Sequence, residues 1–364
     1  MGQRAPGRLE LRRRDLLRGA ASLLATGCST ARLDGPPIVP VPGPPPDPTQ
    51  VLERIAFGSC LDQQRPQPIW SAIEAYRPQL LLLLGDNVYA NAEDEATRRE
   101  AYATLGRSEG FGRVRGTTPV LATWDDHDYG RDDAGREYPL RDASQRALLD
   151  FFDEPADSPR RQRPGVYRAD EFGPAGQRVQ VLLLDTRYFR SPLPHAATRG
   201  RYQRSDDPAD TMLGEAQWTW LEQQLRRPAQ LRLVASSIQL VADGHDFERW
   251  GVFPHERQRL LSTIAQTGAD GVIVLSGDRH HAELSILDDG PMAYPLHDLT
   301  SSSLNRSQGH PHEVNEHRRG AMFAQSNFGT IDIDWTAGTV GLRIRDEHGV
   351  VRLEHVVTQR ALSR

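Results

Sequence analysis

Continuous apolar runs and amphipathic segments alternate along the chain from about residue 51 to residue 280. The apolar runs are too short to span a membrane and too continuous for a half-exposed strand. They therefore predict strands buried on both faces of a sheet, at residues 78–86, 118–126, 179–187, 231–239 and 271–279. Between them, apolar positions recur at helical spacing and predict helices at residues 68–76, 93–105, 144–152, 214–226 and 255–268.

The last part of the chain has a different pattern, in which apolar and polar residues alternate between glycine-containing turns. The segments concerned are residues 327–335, 338–349 and 350–357. A period of two is typical of antiparallel strands with one partly exposed face. The whole pattern predicts a layered α/β fold with mixed sheets.

The N-terminal residues 1–28 resemble an export signal. Arg13 and Arg14, followed by Asp-Leu-Leu-Arg, resemble the twin-arginine pattern, and a short apolar stretch leads to Ala-Thr-Gly-Cys28, which resembles a lipoprotein cleavage box. We expect export by the twin-arginine route and a lipid anchor at Cys28, which would place the protein in the periplasm or at the cell surface. The alternative is a disordered basic N-terminus.

The next segment, residues 29–50, is rich in proline. Proline is excluded from helix and sheet interiors, so this segment is predicted to be an extended spacer in front of a domain at residues 51–364. The alternative is a linker without a tether.

Charge argues against a nucleic-acid partner. The chain carries 44 basic and 49 acidic residues, a balance of −5. Residues 1–27 hold six arginines and two acids, so the remainder has 38 bases against 47 acids, or −9. Such an acidic domain is a poor general binder of nucleic acid. We expect acids to cluster around metal instead.

Side chains that bind metals follow three of these apolar runs and a fourth, shorter run at residues 55–57. In layered α/β folds, ligands bind at the carboxyl ends of the strands, so these side chains are expected to converge. Carboxylates held so close together need a multivalent cation to offset their repulsion. The residues concerned are Cys60, Asp86, Tyr89, Asp125, Asp126, His127, Asp278 and His280.

Each of these signals also has an ordinary structural explanation. A Gly-Asp pair after a strand is commonly a turn or a helix cap, and a run of acids can be a solvated loop. A lone cysteine at a strand end, such as Cys60, is commonly a small buried apolar residue. Four such strand ends in one chain nevertheless favour a polynuclear metal centre.

A series of motifs runs along the chain between about Arg54 and Thr358. The motifs are FGSC, LLLLGDNVY, WDDHDYG, LLLDTRYFR, GEAQWTWLEQQL, ERWGVFPHERQRLL, SGDRHH and NFG. In order and combination, they resemble the PhoD-like alkaline phosphatases, a branch of the metallophosphoesterases. The resemblance implies an α/β/β/α sandwich with two mixed sheets.

The resemblance also implies a set of metal ligands: Cys60, Asp86, Tyr89, Asp126, Asp278 and His280. Asp86 would bridge two metals, and a hydroxide between them would attack phosphorus. His127 would protonate the leaving group; its alternative role is to brace Asp126. The family implies Fe³⁺ and Ca²⁺, in keeping with thiolate and phenolate ligands for iron and carboxylates for a hard cation. Spacing alone does not exclude Zn²⁺ or Mn²⁺.

Further polar residues are candidates for supporting roles. Arg187 and Arg190 follow an apolar run and are candidates for clamping phosphate, or for an ion pair. Asp125, Gln239 and His281 are candidates for further metal ligands or for residues that support the ligands.

These inferences predict an exported, monomeric, metal-dependent phosphomonoesterase whose substrate is a phosphate ester. The same centre would serve a phosphodiesterase. A tethered binding lipoprotein with structural metals is the alternative from a different class.

Overall fold

The first sheet grows from the N-terminal strands and the C-terminal meander. Its spatial order is β13-β12-β11-β1-β2-β3. Strands β1, β2 and β3 run parallel, whereas β11, β12 and β13 pair antiparallel, so the sheet is mixed. Its strands are β1 (Arg54–Gly58), β2 (Leu80–Leu83), β3 (Val120–Ala122), β11 (Asn327–Asp334), β12 (Thr339–Asp346) and β13 (Val351–Thr358).

The second sheet is also mixed, with the order β10-β8-β9-β7-β6-β5-β4. Strands β5, β6, β7 and β9 are parallel, and the strands at both edges are antiparallel. Its strands are β4 (Arg168–Phe172), β5 (Val179–Leu183), β6 (Leu231–Ala235), β7 (Val272–Ser276), β8 (Ala282–Leu287), β9 (Leu296–Ser301) and β10 (Arg318–Phe323).

Helices cover the outer face of each sheet. The α-helices are α1 (Ile69–Tyr76), α2 (Glu95–Gly106), α3 (Glu109–Thr117), α4 (Asp126–Tyr129), α5 (Arg141–Phe151), α6 (Gly214–Leu225) and α7 (Pro254–Thr267). Short 3₁₀ helices occur at Pro159–Arg161, Trp250–Val252 and Gln359–Leu362.

Alternation along the strands assigns each side chain to a layer. In β2, Leu80 and Leu82 face the other sheet, whereas Leu81 and Leu83 pack under the helices of the first sheet. The inter-sheet core also contains Leu231 and Leu233 of β6, while Val234 of the same strand packs under α6 and α7. The result is the α/β/β/α sandwich that the resemblance implied.

Most of the elements match the pattern of the sequence. All five predicted buried strands, all five predicted helices and the three C-terminal strands form, and each observed end lies within four residues of the predicted one. The helices α3 and α4 and the strands β4, β8, β9 and β10 were not predicted. The strand β10 is largely exposed and polar, and β8 and β9 contain buried Glu283, His297 and Asp298, which interrupt the apolar pattern.

The computed structural model describes residues 1–2, 35–198, 200–308 and 313–364. The chain divides into two units, Met1–Leu33 and Asp34–Arg364. The predicted export signal, with Arg13, Arg14 and Cys28, lies almost entirely outside the described residues. Among the described helices, none is long and apolar enough to span a membrane.

The described part of the proline-rich segment, residues 35–50, lies against the domain. It contains no helix or strand. Ile38 and Val41 pack on the core beneath α1, α2, α3 and α5, and the Val41 N–H donates to the Phe151 carbonyl at 3.3 Å. The Pro48 carbonyl accepts from the Gly173 N–H at 3.0 Å. We call residues 35–50 the strap, because over this length the chain is bound to the domain and not a free spacer.

Candidate metal centre

Loops from both sheets meet at the carboxyl ends of four parallel strands. Strand β1 leads to Cys60, β2 to Asp86 and Tyr89, and β3 to the short helix α4; β7, from the other sheet, leads to Asp278 and His280. A bridge between Ser59 and Ser302 links the β1 loop to the end of β9. The packing of one sheet on the other therefore assembles the site.

The backbone at the site adopts an unusual conformation. Cys60, Asp86, Asp278 and His280 have φ angles of 60°, 50°, 70° and 58°, in the left-handed region that non-glycine residues rarely occupy. The loops also approach closely, since a Cβ on Gly85 would lie 2.5 Å from the Asp125 backbone nitrogen. Strain of this kind persists where the surrounding structure enforces it and is concentrated at functional sites.

One group of ligands combines a thiol, a phenol, an imidazole and a carboxylate. The Asp86 Oδ2 atom lies 2.8 Å from the Tyr89 hydroxyl and 3.5 Å from the Cys60 Sγ atom. The Tyr89 hydroxyl lies 2.9 Å from the His280 Nε2 atom. Ligand atoms of Cys60, Asp86 and His280 all fall within 4.8 Å of one another, close enough to share one cation.

A second group consists mainly of carboxylates. Ligand atoms of Asp125, Asp126 and Asp278 lie within 4.8 Å of one another, as do those of Asp86, Asp126 and His127. Asp86 therefore belongs to both groups. A carboxylate shared in this way would be able to bridge two cations.

The electrostatics of this cluster require positive charge. Burial, followed by repulsion from Asp126 and Asp125, raises the pKa of Asp86 well above its usual value, and burial with repulsion from Asp125 does the same for Asp278. Burial, followed by the charge of Asp86, also raises the pKa values of the Cys60 thiol and of the Tyr89 phenol. These groups can all be anionic together only when cations lie among them.

Two buried carboxylate oxygens have positions that a metal ion would satisfy. Asp125 Oδ2 and Asp126 Oδ1 are buried and have no hydrogen-bond partner among the described residues. A buried carboxylate oxygen without a partner is costly, and a cation would satisfy it. The residues present thus fit two metal ions, one beside Cys60, Tyr89 and His280 and one beside Asp126 and Asp278.

His127 lies at the edge of the cluster. Its backbone N–H lies 3.3 Å from Asp86 Oδ1, and its ring packs on Tyr89 with the ring centroids 4.2 Å apart. The side chain is 11% exposed, so one part of the imidazole reaches the surface of the site. Asn91, which was not predicted, contacts the Nδ1 atom of this ring.

Arg187 and Arg190 lie inside the domain, behind the carboxylates. The Arg187 side chain is fully buried and contacts Asp125 and Glu248, at 2.5 Å and 2.6 Å, and Arg190 lies 3.0 Å from Glu248. Asp125 also accepts a hydrogen bond from Ser237 at 2.6 Å. This burial and pairing favour an ion network that holds Asp125 over direct contact with phosphate.

Gln239 and His281 also lie in the interior. Gln239 donates to Glu283 at 2.8 Å and to Thr300 at 2.9 Å, and its carbonyl oxygen lies 3.2 Å from the His245 ring. His281 is fully buried, with its Nε2 atom 3.7 Å from Glu283. Both residues therefore lie in a buried polar layer formed with Glu283 and Thr300.

Several residues of the site were missed by sequence reasoning. The Ser302 hydroxyl lies 3.0 Å from the Cys60 sulfur, but Ser302 belongs to no recognisable sequence motif. Asp128 accepts from the backbone of Asp125 at 2.7 Å and of Asn87 at 3.1 Å, and so fastens two loops that carry ligands. The DDHD run was a signal for Asp128, but its role depends on contacts between loops.

The α/β/β/α sandwich and the two groups of candidate metal ligands that share Asp86 are typical of a metallophosphoesterase. The family description "PhoD-like phosphatase" matches residues 55–352. The chain belongs to this family and is a metal-dependent phosphoesterase.

Solved structures agree with the fold. A structure of PhoD has a TM-score of 0.71 at 19% identity, covering 87% of this chain and 72% of that chain. Purple acid phosphatase PPD1 from yellow lupin (Lupinus luteus) seeds has a TM-score of 0.59 at 12% identity, covering 86% and 55%. GAP50, described as the anchor in the inner membrane complex of Plasmodium, has a TM-score of 0.55 at 14% identity, covering 85% and 89%. No curated protein matches the chain significantly.

Proposed function

We propose that the protein is a phosphomonoesterase that uses an Fe³⁺ and Ca²⁺ pair at the loops described above. The observation that carries this proposal is the position of Asp86, shared between the thiol, phenol and imidazole group and the carboxylate group. Thiolate and phenolate suit a ferric ion, and oxygen ligands alone suit Ca²⁺. Such a metal pair supplies Lewis-acid stabilisation of charge on the phosphoryl oxygens and an acidified water as nucleophile.

Side chains of the protein position the ligand loops, donate a proton and bind metal. Asp125 and the Arg187–Glu248 network hold the carboxylate loops in place. His127 lies beside Asp86 and is partly exposed, which supports a role for its Nε2 atom in giving a proton to the oxygen of the leaving alcohol. Burial lowers the pKa of His280 to about 3, with Arg306 and His127 contributing, so the ring is neutral and has a nitrogen lone pair that can bind a metal.

The central test compares metal content and turnover in the wild type and in Asp86→Asn. The wild type, loaded with iron and calcium, should hydrolyse a chromogenic phosphomonoester faster than the matching diester. Asp86→Asn should lose both metals and activity, because the substitution turns the carboxylate into a neutral amide that cannot bridge two cations. Asp334→Asn is the matched control, since Asp334 is the exposed last residue of β11, where its oxygen accepts from the backbone of Thr336 and Ala337.

The outcomes separate the candidate functions. Preference for the diester would identify a phosphodiesterase, for which this site has the same ligands. Tight metal binding without turnover of either ester would identify a binding protein. An Asp86→Asn variant with unchanged metal content and unchanged turnover would show that the site is misplaced.

We also propose export by the twin-arginine route and anchoring through Cys28 to a membrane facing the periplasm or the cell surface. The support is the Arg13-Arg14 pattern and the Ala-Thr-Gly-Cys28 sequence. Replacing both arginines by lysine should leave the precursor in the cytoplasm, because a receptor reads the arginine pair itself. Replacing Arg4 and Arg8 by lysine is the matched control and should not affect export.

The anchor has its own test. Cys28→Ser should abolish labelling with a fatty acid and release the protein from the membrane fraction, because the acyl chains provide the affinity. A wild-type protein that takes up no label would contradict the anchor while leaving the export proposal standing.

A further inference from the structure

Asn91 holds His127 at two points. The side-chain oxygen of Asn91 contacts the Nδ1 atom of the His127 ring. The backbone N–H groups of Ala90 and Asn91 both donate to the His127 carbonyl, at 3.2 Å and 3.3 Å. The ring and the backbone of His127 are therefore both fixed by the loop that follows β2.

The backbone of Asn91 is adapted to this contact. Its φ angle is 46°, in the left-handed region, although asparagine is not glycine. Asparagine is among the few residues that visit this region readily, because its short polar side chain bonds locally. The conformation turns the chain back towards His127 two residues after Tyr89, whose ring covers one face of the imidazole.

The chemistry of imidazole decides which end of the amide must face the ring. Both nitrogens of an imidazolium carry a proton, so a histidine that donates a proton from Nε2 also carries an N–H at Nδ1. The amide oxygen can accept from that N–H, whereas the amide NH₂ group would oppose it. With Nδ1 occupied, Nε2 is the nitrogen that remains, and it lies 3.9 Å from Asp126 Oδ2 and 4.0 Å from Asp132 Oδ1.

We propose that Asn91 is the positioning residue of His127: its Oδ1 atom accepts from Nδ1–H and thereby directs Nε2–H towards the leaving-group oxygen. This inference rests on the proposed phosphoesterase function. The role is assigned to Asn91 because its Oδ1 atom contacts Nδ1, whereas the carboxylates of Asp126 and Asp132 lie near Nε2.

Two substitutions separate the acceptor from the backbone. Asn91→Gly removes the side chain while keeping a residue that accepts positive φ at no cost. Asn91→Asp keeps both the acceptor and the tolerance of the left-handed conformation. Asp153→Gly is the matched control, since Asp153 has a φ of 55° in an exposed loop after α5.

The experiment measures kcat, KM and metal content for an alkyl phosphate, a poor leaving group, and an activated aryl phosphate. A general acid contributes about 100- to 10,000-fold, and we expect Asn91→Gly to lose about 10- to 100-fold of kcat on the alkyl ester. On the aryl ester, whose oxygen leaves without a proton, the loss should be less than about threefold. KM and metal content should not change, Asn91→Asp should restore most of the turnover, and Asp153→Gly should match the wild type.

A double-mutant cycle completes the test. If Asn91 acts only through His127, then adding Asn91→Gly to His127→Ala should cause no further loss. Equal losses in Asn91→Gly and Asn91→Asp, losses that multiply in the double variant, or loss of metal in Asn91→Gly would overturn the positioning role. A wild type without turnover of either ester would instead overturn the proposed function, and this inference with it.

Discussion

At the scale of single residues, the surrounding structure holds four residues of the site in the left-handed backbone conformation, which non-glycine residues disfavour. Each left-handed L-residue costs roughly 1–2 kcal/mol relative to the right-handed form. Bonds between loops compensate: the Cys60 and Leu61 N–H groups donate to the carbonyls of Gly85 and Asp86, at 3.4 Å and 2.8 Å. The ligands are thus placed by backbone contacts between loops as much as by their own side chains.

The same scale shows what the sequence can reveal about a site. The convergence of the candidate ligands could be predicted, because Cys60, Asp86 and Asp278 each follow an apolar run that identifies a strand end. Asn91 and Glu248 could not be, because their partners are distant in sequence or depend on the path of a loop. Arg187 was predicted only as one of two alternatives, since an arginine after a strand bonds phosphate or a buried acid equally well.

The identity of the metal proposed beside Cys60, Tyr89 and His280 can be tested at Tyr89. A ferric ion bound by a phenolate should colour the purified protein through a charge-transfer band in visible light. Tyr89→Phe should shift or remove that band, because the ring stays but the oxygen ligand is lost. Tyr76→Phe is the matched control, since the Tyr76 hydroxyl bonds Asp332 at 2.8 Å on another part of the first sheet.

Absorption spectra and iron analysis of the three proteins provide the measurement. A colourless wild type that contains zinc or manganese and is fully active would contradict the iron assignment. It would leave the two-metal site itself intact, because Asp86 and the carboxylate group do not depend on which metal binds.

At the scale of elements, apolar runs were easy to place and polar elements were not. The strand β7, Val272–Ser276, is buried along its whole length and was predicted from its composition. The strand β9 is equally buried but contains His297 and Asp298, and the charge of Asp298 is accommodated by hydrogen bonds from Leu240 and Val241. These hydrogen bonds come from a loop that is distant in sequence, so the local pattern of apolar and polar residues around β9 does not predict them.

The strap gives a test of a contact that proline content alone would not predict. A Cβ added to Gly43 would lie 2.2 Å from the Arg115 carbonyl oxygen, a distance that backbone atoms cannot tolerate. Gly43→Ala should therefore destabilise the domain by about 1–3 kcal/mol, as overpacking does, or displace the strap. Urea unfolding at neutral pH measures the change.

The matched control for the strap is Gly116→Ala in α3. A Cβ at Gly116 would meet nothing within 4 Å, and alanine favours a helix interior by up to about 1 kcal/mol over glycine. This variant should be as stable as the wild type or more stable. If Gly43→Ala behaved in the same way, the strap would not be packed on the domain in solution.

At the scale of the whole molecule, the two sheets have to pack in one register for the site to exist. The β1 loop of the first sheet contacts the end of β9 of the second, where the Leu304 N–H donates to the Ser59 carbonyl at 2.9 Å. A second contact between the sheets joins His297 of β9 to His355 of β13, with their Nε2 atoms 3.2 Å apart. Since only one of the two facing nitrogens can carry a proton, this contact requires at least one neutral ring.

The histidine contact makes the stability of the sandwich depend on pH. Burial, followed by the charge of His355, lowers the pKa of His297 to about 4, against about 6.5 in the unfolded chain. The unfolded state therefore binds a proton before the folded state does, so stability is complete above about pH 6.5 and falls as the pH drops towards 4. Between pH 7 and pH 5 the loss from His297 should be about 2 kcal/mol.

Urea unfolding of the wild type, His297→Gln and His348→Gln at pH 7 and pH 5 tests this dependence. His297→Gln should be less sensitive to pH than the wild type by about 2 kcal/mol, because glutamine does not titrate. His348 is the matched control: its side chain is 76% exposed in the turn between β12 and β13, so its replacement should leave the pH dependence unchanged. Acid effects on the metal centre are common to all three proteins and cancel in the comparison. Equal pH dependence in all three would show that His297 is not buried in its neutral form.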